Sequence, residues 1–140
     1  MKQVLIVDDS KQIRQRIAAL LAESEQIRIV GTAGDGETAM EAIEHLAPDT
    51  VILDIQLPGK SGITLLKEIK TRCPEVTVVM LTNYDFTPYR KLCKQLGADY
   101  FLNKTRDIHK IVPAITGHPK IEGQNESLPF KKGEYHGNIQ

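Results

Sequence analysis

The sequence has only two cysteines, Cys73 and Cys93, and nothing near them has CxxC or Cys/His spacing. That excludes a zinc site or a disulfide framework as the organising device, and both thiols read as reduced core or helix residues. It also lacks net charge. Eighteen basic and eighteen acidic side chains cancel, so no global field draws the chain to nucleic acid or to an anionic membrane, and recognition must be local. Long apolar runs are missing as well: none approaches the roughly 20 residues that span a bilayer. The N-terminal run, residues 4–7, stops at Asp8 and Asp9, where a signal peptide would continue apolar. A cytoplasmic protein is expected. What remains is ordinary globular composition over 140 residues, 41% hydrophobic and 26% charged, enough for one domain with its own core.

Residues 4–7, 27–30, 51–53, 76–81 and 100–102 form short apolar runs, interrupted only by Arg28 and Thr77. Runs of this length and continuity suit strands buried on both faces. Between them the period becomes helical: Ile13, Ile17, Leu20 and Leu21, then Ala39, Ala42, Ile43 and Leu46, then Ile63, Leu66 and Ile69. Ser10, Asp35 and Ser61 are candidate helix caps, Pro88 is the expected first residue of a helix that Gly97 closes, and Thr105 is the expected cap of a last helix carrying Ile108, Ile111 and Ile115. Five strands alternating with five helices imply right-handed crossovers and an open parallel α/β sheet. Ligands in such sheets bind beyond the carboxyl ends of the strands. The polar residues at those ends are Asp8 and Asp9 after the first strand, Asp54 after the third, Thr82 after the fourth and Lys104 just beyond the fifth.

Each has an ordinary explanation alone. Asp8 and Asp9 could cap a helix, Asp54 could open the Pro58-Gly59 turn, Thr82 is a common strand residue and Lys104 a common surface one. Together and in order, Asp8-Asp9, the stretch from Asp54 through Pro58-Gly59-Lys60-Ser61-Gly62, Leu81-Thr82 and Gly97 through Lys104 resemble the receiver domain of two-component response regulators over residues 1–117. The resemblance implies a flavodoxin-like (βα)5 fold with strand order 2-1-3-4-5. It implies Mg²⁺ held by Asp9 and Asp54 directly, by Asp8 mainly through a water and by the main-chain carbonyl of Gln56. It makes Asp54 the phosphoacceptor for a phosphohistidine on a sensor histidine kinase or histidine phosphotransfer protein, with Lys104 and Thr82 contacting the phosphoryl group and Thr82 and Phe101 as switch residues. A downstream protein would dock on helix 88–96, strand 100–102 and helix 105–115, the family's α4-β5-α5 face, with no direct nucleic acid or membrane binding and a homodimer allowed. Physical chemistry agrees on the metal, because adjacent carboxylates repel and a hard divalent cation with oxygen ligands relieves them.

Two other classes compete. An aspartate-nucleophile phosphatase shares the chemistry but needs a second aspartate two residues after the nucleophile, where this chain has Gln56. A receiver-like interaction module that never takes phosphate is disfavoured by the intact polar set. Some positions depart from the common receiver pattern: Asn83 replaces a smaller residue beside the pocket, putting transfer from small phosphodonors in doubt, and Thr105 replaces a proline, so a trans Lys104-Thr105 bond is expected. Gln56 and Tyr84 occupy positions that tune dephosphorylation in the family. Pro113 is expected to kink or end the last helix. His45, His109, His118 and His136 have no ligand spacing and read as surface residues. Residues 118–140 lack period and read as a disordered tail, too short for a DNA-binding output domain, so the chain is expected to be a single-domain receiver or a piece of a longer regulator.

Overall fold

The computed structural model describes residues 1–117. Strands β1 (Lys2–Val7), β2 (Ile27–Ala33), β3 (Thr50–Leu53), β4 (Thr77–Thr82) and β5 (Tyr100–Asn103) form one parallel sheet in the order β2-β1-β3-β4-β5. Helices α1 (Lys11–Leu21), α2 (Gly36–Leu46), α3 (Gly62–Arg72), α4 (Thr87–Gln95) and α5 (Ile111–Thr116) cover it, the last preceded by a 3₁₀ turn, Ile108–Lys110. This is the flavodoxin-like fold, in the strand order the resemblance implied.

The central strands β1, β3, β4 and β5 carry apolar stretches because both faces of the sheet are covered there, whereas β2 at the edge is only partly buried. Leu5, Val7, Val51, Leu53, Val78, Met80 and Phe101 pack with Met40, Ile43, Leu66 and Cys93 of α2, α3 and α4. Their neighbours, Val4, Ile6, Ile52, Val79, Leu81, Tyr100 and Leu102, pack with Ile17, Leu21, Ile111 and Ile115 on the other side. Alternation along each strand thus feeds two cores. Three of the expected caps form. Ser10 Oγ, Asp35 Oδ1 and Ser61 Oγ accept the backbone N–H groups of Ile13, Thr38 and Thr64 at 3.2, 2.8 and 3.2 Å. Gly97 sits at φ +102° just past α4, a left-handed conformation that glycine adopts without strain.

Two helix boundaries differ from expectation. Thr87, not Pro88, opens α4. Thr105 caps no helix: Asn103 Oδ1 accepts the N–H groups of both Thr105 and Arg106, at 2.9 and 2.7 Å, and Asp107 Oδ2 accepts the N–H of Asn103 at 3.0 Å. These bonds hold residues 103–107 in turns, so the helix expected over 105–115 starts as the 3₁₀ turn and becomes α only at Ile111. Pro113 is therefore the third residue of α5, where its missing N–H breaks no helical hydrogen bond. The described residues contain no cis peptide bond, so Lys104-Thr105 is trans as expected. The expected tail, 118–140, lies outside the described residues.

Candidate functional site

Strand register builds the site. Val7 pairs with Leu53, so the residues that follow them, Asp8 and Asp54, emerge side by side at the carboxyl edge. Thr82 pairs with Asn103, which puts Lys104 next to β4, its N–H donating to Thr82 O at 2.9 Å. The Lys104 ammonium reaches back over the sheet and lies 2.6 Å from Asp8 Oδ2 and 2.6 Å from Asp54 Oδ2. Asp8 and Asp54 are buried, at 1% and 5% exposure, whereas Asp9 is exposed. Carboxylate oxygens of Asp8, Asp9 and Asp54 lie within 4.8 Å of one another.

Three carboxylates around one ammonium leave formal charge −2. The oxygen-only donor set and that surplus suit a hard divalent cation such as Mg²⁺. Lys104 itself stays charged: burial alone would lower its pKa, but the hydrogen bonds its ammonium donates to Asp54 and Asp8 outweigh this and hold it above 10.5. Asp8 is committed on both oxygens, with Oδ1 accepting the N–H of Ser10 at 2.9 Å. Asp54 is less so: its Oδ1 accepts only a long bond, 3.2 Å, from the N–H of Gln56.

Asp9, Asp54, Gln56 and Lys104 line one cleft of about 670 Å³, whose apolar wall includes Leu57, Pro58, Ile63, Tyr84 and Tyr89. Gln56 Nε2 donates to Tyr84 Oη at 2.8 Å, tying the loop after β3 to the loop after β4. Thr82 is buried beside the cleft, and its Oγ accepts the N–H of Tyr84 at 3.1 Å. Phe101 is not in the cleft. It is fully buried on the α4 side of the sheet, with the Arg90 guanidinium 4.7 Å above its ring.

Two features escaped sequence reasoning. A side chain at Gly62 would place its Cβ 1.8 Å from the carbonyl oxygen of Asp54, so only glycine lets α3 start against the loop after β3. A weak signal existed, since glycine in a first helical turn is a poor helix former. The second is a charged clamp, in which Asp85 accepts from Arg90 at 2.7 Å and Arg106 at 2.6 Å, joining the loop after β4 to α4 and to the loop after β5. Burial would raise the Asp85 pKa, but the two guanidiniums outweigh it and hold the carboxyl below 3.8. Nothing in the spacing of 85, 90 and 106 announces this triad.

A family model of the response regulator receiver domain matches residues 4–116. The chain belongs to that family. Protein CcdB of Bacillus subtilis is 37% identical over 116 residues, covering 83% of this chain and 96% of its own. Response regulator GacA of Pseudomonas aeruginosa is 31% identical over 82% of this chain, which spans only 54% of GacA's length. Among solved structures, the Francisella response regulator 1452 receiver domain matches with a TM-score of 0.76 and 28% identity, covering 86% of this chain and 98% of that one. The receiver assignment carries a general phosphoacceptor role in two-component signalling, and the acidic cluster sits where such a domain gathers its carboxylates. No helix among the described residues is long and apolar enough to cross a membrane.

Proposed function

We propose that this receiver accepts a phosphoryl group on Asp54 from a phosphohistidine of a sensor histidine kinase or histidine phosphotransfer protein, in a Mg²⁺-dependent reaction. The supporting observation is the gathering of the Asp8, Asp9 and Asp54 carboxylates within 4.8 Å of one another, with the Lys104 ammonium bonded to two of them. Asp54 Oδ1, with one long hydrogen bond, has lone pairs to spare and attacks phosphorus. The P–N bond to the imidazole breaks, and its electron pair leaves on the ring nitrogen. Asp9 and Asp54 would hold Mg²⁺ directly, Asp8 through a water and Gln56 through its main-chain carbonyl; when bound, the ion neutralises charge on the transferring oxygens. Lys104, already at Asp54, donates to a new phosphoryl oxygen. Thr82 spends only an Oγ lone pair on Tyr84, so its hydroxyl proton remains available to a second one.

Signal leaves through α4, β5 and α5, where a downstream protein docks. Thr82 and Phe101 remain the proposed switch residues. Because the Phe101 ring is already buried under Arg90, the response there is a rearrangement of the Asp85, Arg90 and Arg106 clamp around it. Gln56, two residues after the acceptor, argues against an aspartate-nucleophile phosphatase, and the assembled site argues against a module that never takes phosphate. Incubation with a phosphorylated kinase and Mg²⁺, followed by intact mass, tests the proposal: one added phosphoryl group supports it, and none contradicts it.

Metal linkage gives a second test. A ligand at one hundred times its Kd stabilises the folded state by about 2.7 kcal/mol. Saturating Mg²⁺ is expected to raise the thermal midpoint of the wild-type chain by several degrees and to raise that of Asp9→Ala far less, because the exposed metal ligand is gone. Equal shifts in scanning calorimetry would remove Asp9 from the site. Residues 1–117 are proposed as the folding unit, since the family match covers 4–116 and the five-stranded sheet with its two cores is built from described residues. A chain ending at Gly117 is expected to keep its thermal midpoint and its phosphoryl uptake; a loss of several degrees would show that 118–140 packs on the domain.

A further inference from the structure

Strand β5 is an edge of the sheet, so β4 holds it from one side only. Lys104 emerges at its end. The Lys104 N–H points inward and donates to Thr82 O at 2.9 Å, whereas the N–H before it, on Asn103, points outward, where no further strand lies. Asp107 supplies the missing partner. Its Oδ2 accepts the N–H of Asn103 at 3.0 Å and its own N–H donates to Asn103 O at 2.9 Å, so residues 103 and 107 are joined in both directions across Lys104. Asn103 Oδ1 accepts from the N–H groups of Thr105 and Arg106, and Thr105 Oγ1 donates to Asn83 Oδ1 at 3.1 Å in the loop after β4. All five backbone N–H groups from 103 to 107 are therefore committed, four of them between Asn103, Asp107 and the residues they enclose. A carboxylate is a costly group to bury for this task unless it is paired. Asp107 is buried, and the Lys110 ammonium, with its side chain also buried, lies 3.1 Å from Oδ1; the Arg106 Nε is farther, at 3.8 Å, and that guanidinium bonds Asp85.

We propose that Asp107, acting through Asn103, is a positioning residue for Lys104: it fixes the backbone from which the ammonium reaches Asp54, and so sets how well that ammonium meets an incoming phosphoryl group. The inference deepens the phosphoacceptor reading above and rests on it. A lysine side chain is long and flexible, so its tip is placed only as well as the Cα that carries it. An error of about 1 Å at a reacting centre can cost about a hundredfold. Asp107 does not line the cleft and touches neither acidic residue there, so its effect passes through Lys104.

The test uses the full chain and two double variants. Asp107→Asn/Lys110→Met removes the buried ion pair but keeps a side-chain oxygen for the Asn103 N–H; Asp107→Ala/Lys110→Met removes both, so the difference between them isolates the bond to Asn103. Each protein is titrated with Mg²⁺ alone, which needs the three carboxylates but not Lys104, and then with beryllium fluoride at saturating Mg²⁺, a phosphoryl mimic that Lys104 would contact. The alanine double variant is expected to bind beryllium fluoride about tenfold more weakly than wild type and the asparagine one within about threefold, the difference of one charge-assisted hydrogen bond. Affinity for Mg²⁺ alone is expected to fall in neither. Asn103→Ala, half-buried and outside both cores, serves where a double variant does not melt cooperatively, and is expected to lose about fivefold for beryllium fluoride with Mg²⁺ binding kept. Unchanged beryllium fluoride affinity in the alanine variants would overturn the inference. So would an asparagine double variant as weak as the alanine one, or a parallel loss of Mg²⁺ affinity, which marks general damage to the fold. Wild type that binds the mimic while every variant matches it removes this inference alone, whereas wild type that binds none removes the reading beneath it.

Discussion

Asp54→Asn is expected to take up no phosphoryl group under conditions that fully convert the wild-type chain. The amide nitrogen and oxygen are far poorer nucleophiles than a carboxylate oxygen, and the change removes one of three negative charges around the metal position. The fold should survive, since an amide keeps the shape and Lys104 keeps Asp8 as a partner at 2.6 Å. Circular dichroism and a cooperative melt check that point. The neighbouring carboxylates, Asp8 and Asp9, are poor substitutes: one is fully hydrogen-bonded and buried, and the other faces solvent. Uptake by Asp54→Asn at the wild-type rate would name another acceptor.

The second large effect is at Lys104. Its side chain is 12% exposed and its ammonium is shared by two buried carboxylates, so Lys104→Ala leaves both without their cation. Removing one partner of a buried ion pair typically costs about 3–5 kcal/mol. A loss of that order is expected in metal-free buffer, with part of it recovered on adding Mg²⁺. Phosphoryl uptake can persist, but the change in amide exchange across α4, β5 and α5 on adding beryllium fluoride is expected to vanish, because the side chain that reports the new oxygen is absent. Thr82→Ala is milder, losing one hydroxyl contact worth about 1 kcal/mol. The pH dependence has a definite sign. With its pKa raised on folding, the lysine contributes its full stabilisation below 10.5 and loses it only as pH climbs through the higher folded value. A Lys104→Ala chain as stable as wild type without metal would show that Asp8 and Asp54 do not depend on the ammonium.

Much of this was readable from sequence because the strands are buried on both faces. Residues 4–7 read as a strand since all four are buried, and the carboxylates after residues 7 and 53 stood out against apolar runs. Period and punctuation located α1, α2 and α3, whose Ser and Asp caps act within three residues of chain. Strand order was different: no local pattern encodes which strands are neighbours, and the resemblance supplied it. The last helix failed for a physical reason. Ile108 and Ile111, three apart, fit a 3₁₀ turn as well as an α-helix, and what holds residues 103–107 out of the helix is a set of side-chain bonds from Asn103 and Asp107. The close approach of Gly62 to Asp54 and the Asp85 clamp have a related cause, since each depends on backbone or side chains brought near only by folding, and only Gly62 leaves a weak local trace. Phe101 was readable as a residue but not as a state: its burial beneath Arg90 follows from packing across β5 and α4.

The central claim is that Asp54 carries the phosphoryl group. The most direct measurement phosphorylates the wild-type chain with a histidine kinase and Mg²⁺, reduces the acyl phosphate with borohydride, and maps the product by peptide mass spectrometry. A single homoserine in place of Asp54, and none at Asp8 or Asp9, is the expected result. Modification at another carboxylate, or a stable phosphoryl group on a histidine with Asp54 unchanged, would contradict it.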